Sequence, residues 1–132
     1  MALHNEIGRI GEDIAANWLI RNGFTVVDRN YRKKYGEIDI VAREAGGNTV
    51  FVEVKTVSYE TKDALQHAVS CGTWRPEENV HAEKQKRLAR AIQAWISEKR
   101  YEGAWQIDVL AIRLVPSVKH ASIKRISNVI FE

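Results

Sequence analysis

No part of the sequence restricts the fold more than residues 50–55, VFVEVK. The β-branched and aromatic residues of this segment predict an interior strand, yet a glutamate and a lysine lie in it two positions apart. Because side chains alternate along a strand, Glu53 and Lys55 share one face, and Val52 and Val54 share the other. Burying an ionised side chain is costly unless it is paired or binds a metal. The segment therefore predicts either an ion pair within the sheet or a functional site.

A second acidic residue lies in the strand that is predicted before this one, since residues 36–41, GEIDIV, place Asp39 among isoleucine and valine. If Asp39 and Glu53 face each other, their carboxylates, about 4 Å apart, repel by roughly 4 kcal/mol at an effective dielectric of about 20. A divalent cation would reverse this repulsion, and carboxylate oxygens with few other ligands suit Mg²⁺ or Mn²⁺. We therefore expect Asp39 and Glu53 to bind a metal. Lys55 would lie beside it and orient a water or stabilise charge on a phosphate.

Hydrophobic periodicity predicts the order of helices and strands. The predicted elements are a helix over residues 5–22, strands over 24–31, 38–42 and 49–55, a helix over 79–99, and strands over 105–114 and 122–131. Residues 56–76 are predicted to be mostly a long loop, with one or two helical turns at 64–69. This order is typical of an α/β or α+β fold in which helices flank a mixed sheet. We expect one domain spanning residues 1–132.

The composition indicates a cytoplasmic protein. Cys71 is the one cysteine in the sequence, so no intrachain disulfide can form, which is typical of a reducing compartment. Residues 1–11 lack the apolar core of a signal peptide, and no stretch approaches the roughly eighteen consecutive apolar residues of a membrane span. We therefore expect no membrane partner.

The formal net charge of +3 and the pI of about 9.1 are compatible with a polyanionic partner. Basic residues fall into three groups, which are Arg29, Arg32, Lys33 and Lys34, then Lys84, Lys86, Arg87 and Arg90, then Lys119, Lys124 and Arg125. These groups could follow a phosphate backbone or could be ordinary solvated surface. The residues that we expect to bind DNA are Arg32, Lys33, Lys34, Lys84, Lys86 and Arg87.

The acid on one strand followed by Glu-x-Lys on the next resembles the PD-(D/E)XK signature of restriction-endonuclease-like nucleases. A more specific set of motifs is Gly11-Glu12, Arg29-Asn30-Tyr31-Arg32, Gly36-Glu37-Ile38-Asp39, Val52-Glu53-Val54-Lys55-Thr56 and Lys84-Gln85-Lys86-Arg87. In this order the set resembles the YraN family of small bacterial proteins, which is related in fold to archaeal Holliday junction resolvases. The resemblance runs over roughly residues 5–112.

This resemblance implies a restriction-endonuclease-like fold and a nuclease-type active site built from Glu12, Asp39, Glu53 and Lys55. Glu12 would be the third metal-binding carboxylate, and the alternative is an exposed glutamate on a helix surface. Lys84 would point towards the site or extend along the surface as an ordinary lysine. The chain departs from the family at residues 106–108, which are Gln-Ile-Asp where the family usually has Arg-Phe-Asp.

The leading hypothesis is a Mg²⁺-dependent, or Mn²⁺-dependent, endonuclease that hydrolyses phosphodiester bonds in branched or otherwise unusual DNA. Resolvase-like relatives act as dimers on symmetric substrates, so the resemblance also predicts a homodimer. One alternative is a non-catalytic nucleic-acid-binding or interaction module that keeps the fold and its acids. Another is a scaffold in which the acids only form ion pairs.

Overall fold

A computed structural model describes residues 2–71 and 82–130 of the chain, with side chains described over 6–68 and 82–130. These residues form an α+β fold of the restriction-endonuclease-like kind, with three α-helices around a five-stranded mixed sheet. The helices are α1 (Ala2–Arg21), α2 (Lys62–Cys71) and α3 (Ala82–Lys99). The strands are β1 (Thr25–Lys33), β2 (Gly36–Arg43), β3 (Thr49–Ser58), β4 (Trp105–Val115) and β5 (His120–Ile126).

The prediction of a long loop over residues 56–76 is wrong in part, because β3 continues to Ser58 and α2 then spans Lys62–Cys71. The Ala64 N–H donates to Thr61 Oγ1 at 3.0 Å, which caps the start of α2, and Leu65 is buried. The cap and the buried leucine thus stabilise a helix for which the periodicity predicted only one or two turns. The predicted last strand, 122–131, is in fact shifted towards the N-terminus. Residues 72–81, 131 and 132 lie outside the described part of the chain, as does the predicted start of α3 at residue 79.

The strands lie in the order β1-β2-β3-β4-β5, and every neighbouring pair is antiparallel except β3 and β4. β3 and β4 pair in parallel from Thr49 with Trp105 to Ser58 with Leu114. A parallel pair needs a long crossover, and α2 and α3 both lie on this connection. The crossover makes β3 the central strand, which confirms the prediction that residues 50–55 lie inside the sheet.

Each face of the sheet carries its own hydrophobic core. The core beneath α1 includes Ala15, Leu19, Ile40, Val52, Val54 and Leu110. The core beneath α3 includes Ile38, Val41, Phe51, Leu88, Ile92 and Trp95. The rings of Phe51 and Trp95 meet edge to face with their centroids 5.4 Å apart, and Trp95 Nε1 donates to Asp28 Oδ2 at 3.0 Å. These contacts fix α3 against the centre of the sheet.

Two glycines let the helices approach the sheet closely, one against a side chain and the other against the helix backbone. A Cβ atom at Gly11 of α1 would overlap the Thr56 side chain of β3, and one at Gly36 of β2 would overlap the Arg87 carbonyl of α3. Gly11 precedes Glu12, and Arg87 lies one helical turn after Lys84. The two close approaches therefore decide how far Glu12 and Lys84 can reach over the sheet.

Asp108 of β4 is buried and fully engaged in hydrogen bonds. It accepts from Arg125 Nε at 2.8 Å, from Gln106 Nε2 at 2.7 Å and from the Asn128 N–H at 2.9 Å. The carboxylate thus ties β4 to β5 and to the segment after β5. Position 106 of this chain is glutamine, where the related family usually has arginine. The cation beside Asp108 is instead Arg125.

The longest described helices, α1 and α3, cover the sheet with one side and carry charged residues elsewhere on their surfaces. None of the helices in the described ranges combines the length and the apolar character that crossing a membrane requires.

We expect Gly36→Ala to lower the free energy of unfolding by about 1 to 3 kcal/mol, because the added methyl group must push the Arg87 carbonyl away from β2. Urea unfolding measures this change. Gly46→Ala is the matched control, since nothing lies within 4 Å of the added atom there. If both variants kept the stability of the unsubstituted protein, α3 would not be in backbone contact with β2.

Candidate active site

β2 and β3 diverge at Asp39. Within the described residues, the two strands pair from Arg43 with Thr49 up to Ile40 with Val52. Beyond this point the Val54 N–H donates to Asp39 Oδ2, at 2.8 Å, instead of to a backbone carbonyl. A carboxylate therefore occupies the gap that opens between the two strands.

The alternation of β2 is broken at the same position. Ile38 packs in the core beneath α3, whereas Ile40 packs in the core beneath α1. Residues two apart in a regular strand share a face, so the backbone of β2 is irregular around Asp39. This irregularity separates the end of β2 from β3 and accommodates the Asp39 carboxylate.

Glu53 and Lys55 lie on β3 as the alternation predicts. Val52 and Val54 pack beneath α1, while the Glu53 side chain, only 3% exposed, faces α3 and forms an ion pair with Lys84. Lys55 is half-buried and lies close enough to Lys84 for the two amino groups to interact. Lys84 therefore points towards the site and does not extend along the surface, and it forms an ion pair with Glu53 there.

Glu12 reaches the gap from α1, and its carboxyl group lies close enough to that of Asp39 for the two to interact electrostatically. Together they line a cleft of about 270 Å³, which we call the β2–β3 cleft. Its lining residues are Ile7, Gly8, Glu12, Asp39, Val54, Lys55, Thr56 and Lys84. The cleft thus brings together Glu12, Asp39 and Lys55.

Glu53 lies in a second hollow that adjoins the cleft. This hollow is lined by Glu37, Glu53, Glu83, Lys84, Arg87 and Leu88. Lys84 lines both spaces, so it stands between Glu53 on one side and the Glu12 and Asp39 carboxyls on the other. In the described ranges, no group of three or more His, Cys, Asp or Glu side chains is close enough together to hold a metal ion. The three expected ligands are therefore neighbours that are not arranged as one cluster.

Burial and mutual repulsion raise the pKa values of the acids. The pKa of Glu12 rises to about 7, because of burial first and then the charge of Asp39. The pKa of Glu53 also rises to about 7 for the same two reasons, and Lys84 opposes the rise. Burial raises the pKa of Asp39 as well, although the hydrogen bond from Val54 opposes this. Burial is therefore the main reason that the charged forms of these acids are disfavoured, and the charge of Asp39 adds to it for Glu12 and Glu53.

The two lysines respond in opposite directions. Burial and the neighbouring Lys84 charge lower the pKa of Lys55. Burial is the largest single influence on Lys84 and acts to lower its pKa, but the contact with Glu53 and the charges of Glu53 and Asp39 together outweigh it, so the net direction is upwards. Lys84 is thus the cation that neutralises Glu53, whereas Lys55 is held near the acids with its charged form less favoured.

The expected DNA-binding residues lie at one end of the sheet. Arg32 forms an exposed ion pair with Glu37 at 3.4 Å, and Lys33 forms one with Glu98 at 3.5 Å. The close approach of Gly36 to Arg87 brings the end of the β1–β2 hairpin beside the start of α3. The end of the β1–β2 hairpin is therefore adjacent to the basic start of α3, although the Lys33 side chain extends to Glu98 near the end of that helix.

Three features that position these side chains were not predicted from the sequence, namely the close contacts of Gly11 and Gly36 and the hydrogen bond from the Val54 N–H. One signal was present for the first of them. A glycine inside a helix costs about 1 kcal/mol relative to alanine, so Gly11 within a strongly periodic segment indicates a close contact. The hydrogen bond from Val54 depends on the divergence of two strands, which a sequence pattern does not encode.

We expect Glu12→Gln to change how stability depends on pH. Because the pKa of Glu12 is raised from 4.5 to about 7, the folded protein binds more protons than the unfolded chain between these values, and stability falls as pH rises through this window. The variant loses this contribution. Allowing for the partial exposure of Glu12, it should be more stable than the unsubstituted protein by about 1 kcal/mol at pH 8 and equal to it below pH 4.

Urea unfolding at several pH values between 4 and 8 measures the difference. The control is Glu102→Gln, which changes an exposed glutamate and should shift stability by less than about 0.5 kcal/mol throughout. A Glu12→Gln effect that stays constant with pH would contradict the raised pKa.

One solved structure similar to this chain is described as "The structure of Pyrococcus Furiosus SfsA in complex with Ca2+". It aligns with 94% of this chain at 15% sequence identity and a TM-score of 0.34, and the chain spans 63% of its length. A similarity of this size carries no argument about the present chain.

Sequence comparison is more informative. A UPF0102 protein of Trichlorobacter lovleyi is 34% identical over 119 residues, which cover 86% of this chain and 85% of that protein. A UPF0102 protein of Syntrophotalea carbinolica is 42% identical over 108 residues, which cover 81% and 78% of the two chains. The sequence profile described as "Uncharacterised protein family UPF0102" matches residues 11–112. The resemblance to the YraN family is thereby confirmed, and the chain belongs to this family, UPF0102.

Proposed function

We propose that this protein is a Mg²⁺-dependent or Mn²⁺-dependent endonuclease that hydrolyses phosphodiester bonds in branched or otherwise structured DNA. The observation that carries the proposal is that Glu12, Asp39 and Lys55 line one cleft where β2 and β3 diverge, while Glu53 lies in the adjoining hollow on the other side of Lys84. A homodimer, which the family resemblance predicts, would present two such sites to a symmetric substrate.

The acids fit a hard divalent cation. Among the described residues, the buried Glu53 Oε1 has no hydrogen-bond partner of good geometry and meets only the Lys84 ammonium in an ion pair. Burial raises the pKa values of Glu12, Asp39 and Glu53 and so disfavours their charged forms, an effect that a bound cation would offset. Asp39 and Glu53 would hold the ion, and Glu12 would assist. When bound, such an ion supplies Lewis-acid polarisation of a phosphate oxygen and of a water molecule.

Lys55 would position the attacking water. It lies two residues after Glu53 on the same face of β3 and lines the β2–β3 cleft beside Asp39. From there its amino group could hydrogen-bond to a water or to a non-bridging phosphate oxygen. Such a preorganised donor stabilises charge that develops in the transition state.

The surface beside the cleft suits a phosphate backbone. Lys34, Lys86 and Arg87 are exposed and have no ion-pair partner among the described residues. Arg32 and Lys33 form exposed ion pairs, which contribute little stability and could be exchanged for phosphate contacts. DNA bound along this surface would pass Lys84 at the mouth of the cleft.

The ion pair between Lys84 and Glu53 favours one alternative function. If Lys84 neutralises Glu53 permanently, the site needs no metal, and the protein would be a nucleic-acid-binding module that retains a nuclease fold. Binding without cleavage would distinguish this module from an endonuclease.

We expect the protein to cut at least one DNA substrate in Mg²⁺ or Mn²⁺, and Lys55→Ala to lower the rate roughly a hundredfold to a thousandfold, as loss of one preorganised donor does. Metal binding by Lys55→Ala should hold or rise, because a positive charge near the cation is removed. Asp39→Ala and Glu53→Ala should lose cleavage and metal binding together.

The assay uses linear, nicked, single-stranded and four-way-junction DNA, with calorimetry of metal binding alongside. Lys124→Ala is the matched control, because Lys124 is an exposed lysine on β5, at the sheet edge opposite β1. If the unsubstituted protein cuts none of these substrates, the binding module becomes the better account. Cleavage by Lys55→Ala at the unsubstituted rate would show that Lys55 does not position the water.

We also expect DNA affinity to fall steeply with salt, since phosphate contacts release counterions. Lys34→Ala and Arg87→Ala should each weaken binding similarly on every sequence and lower the salt slope by about 1. Fluorescence anisotropy at several salt concentrations measures both effects, with Lys124→Ala again as control. Binding that does not depend on salt, or no binding to any DNA form, would favour the scaffold hypothesis.

A further inference from the structure

Lys84 separates the acidic groups of the site. Its ammonium contacts Glu53, and its side chain lines both the hollow that contains Glu53 and the cleft that contains Asp39. The Lys84 side chain is 40% exposed, whereas that of Glu53 is 3% exposed. An anion in solution can therefore reach Lys84, while Glu53 lies buried behind it.

The position of Lys84 conflicts with binding of a cation by Glu53. Glu53 Oε1, the oxygen that faces the Lys84 ammonium, is also the buried oxygen that lacks a hydrogen-bond partner among the described residues. An ammonium group and a divalent ion cannot both lie against this oxygen, because both are positive and both need the same space. A metal ion that is held by Asp39 and by this oxygen of Glu53 must therefore displace Lys84.

An anion from solution could replace Glu53 as the partner of Lys84. Lys55 lies close to it in the cleft, so the two amino groups repel each other, and Glu53 holds one of them in place. An anion placed between the two lysines would relieve this repulsion. The exposed neighbours Lys86 and Arg87 on the same end of α3 would draw a phosphodiester to this point.

We propose that Lys84 is a tethered cation that competes with the divalent metal for Glu53, and that a substrate phosphodiester withdraws it, so that metal and nucleic acid bind cooperatively. This inference rests on the proposed function and adds how binding of the metal and binding of the substrate at that site depend on each other. Lys84 is here a positioning residue, which acts through Glu53. By linkage, the metal must strengthen binding of the phosphodiester by the same factor.

The first test measures Mn²⁺ binding without DNA, from the electron paramagnetic resonance signal of unbound Mn²⁺. Lys84→Met should bind Mn²⁺ at least about fivefold more tightly than the unsubstituted protein. Lys86→Met removes the same charge from an exposed position two residues away and should change affinity by less than about twofold. Lys55→Met removes a charge from the cleft without releasing Glu53, so its gain should be smaller than that of Lys84→Met.

The second test adds thymidylyl-thymidine, which contains a single phosphodiester. It should tighten Mn²⁺ binding by the unsubstituted protein, and this coupling should be absent in Lys84→Met. If Lys84→Met does not fold, both measurements are repeated with Lys84→Gln, whose uncharged side chain can donate a hydrogen bond to Glu53. Circular dichroism verifies the fold of each variant.

The two proposals fail separately. If Lys84→Met binds Mn²⁺ more tightly than Lys86→Met but no DNA is cut, the proposed function is overturned and the competition stands. If DNA is cut but neither Lys84 variant gains affinity for Mn²⁺, the competition is overturned alone. Absence of Mn²⁺ binding by the protein and by every variant would overturn both.

Discussion

The ion pair between Lys84 and Glu53 joins α3 to the central strand of the sheet across the gap that β2 leaves open. A carboxylate as buried as that of Glu53 would be strongly destabilising as a lone charge, so the fold needs either this ammonium or another cation at the same place. Asp39 increases this need, because its carboxyl group lies beside Glu53 and, among the described residues, is stabilised by one main-chain donor, the Val54 N–H. The start of α3 and the end of β2 therefore meet at a site where these charges must be balanced.

The packing of the helices on the sheet also determines where the charged side chains of the site lie. Gly11 lets α1 pack closely on the Thr56 side chain, and Gly36 lets the backbone of α3 contact β2. These two contacts place Glu12 and Lys84 over the gap. The edge-to-face contact of Phe51 with Trp95 holds the second half of α3 against β3. A substitution in either contact would therefore move a charged group as well as loosen the core.

The sequence was sufficient to predict the central strand, the facing of Glu53 and Lys55, and the order of the main elements. These features depend on local alternation and periodicity, which residues 50–55 and 82–99 display clearly. It was insufficient for α2, whose start depends on the Thr61 cap, and for the broken alternation between Ile38 and Ile40. The pairing of Lys84 with Glu53 was also missed, because the partner of a buried acid is chosen by the approach of a distant helix.

The hydrogen bond between Val54 and Asp39 has a spectroscopic consequence. The Val54 amide proton is held at a donor to acceptor distance of 2.8 Å by a side-chain carboxylate, in a strand where its neighbours bond to backbone carbonyls. A hydrogen bond to an ionised acceptor polarises the N–H bond more than one to a carbonyl. The nuclear magnetic resonance frequency of this single amide therefore follows the charge on Asp39, and it registers a proton or a cation arriving there without any label attached to the protein.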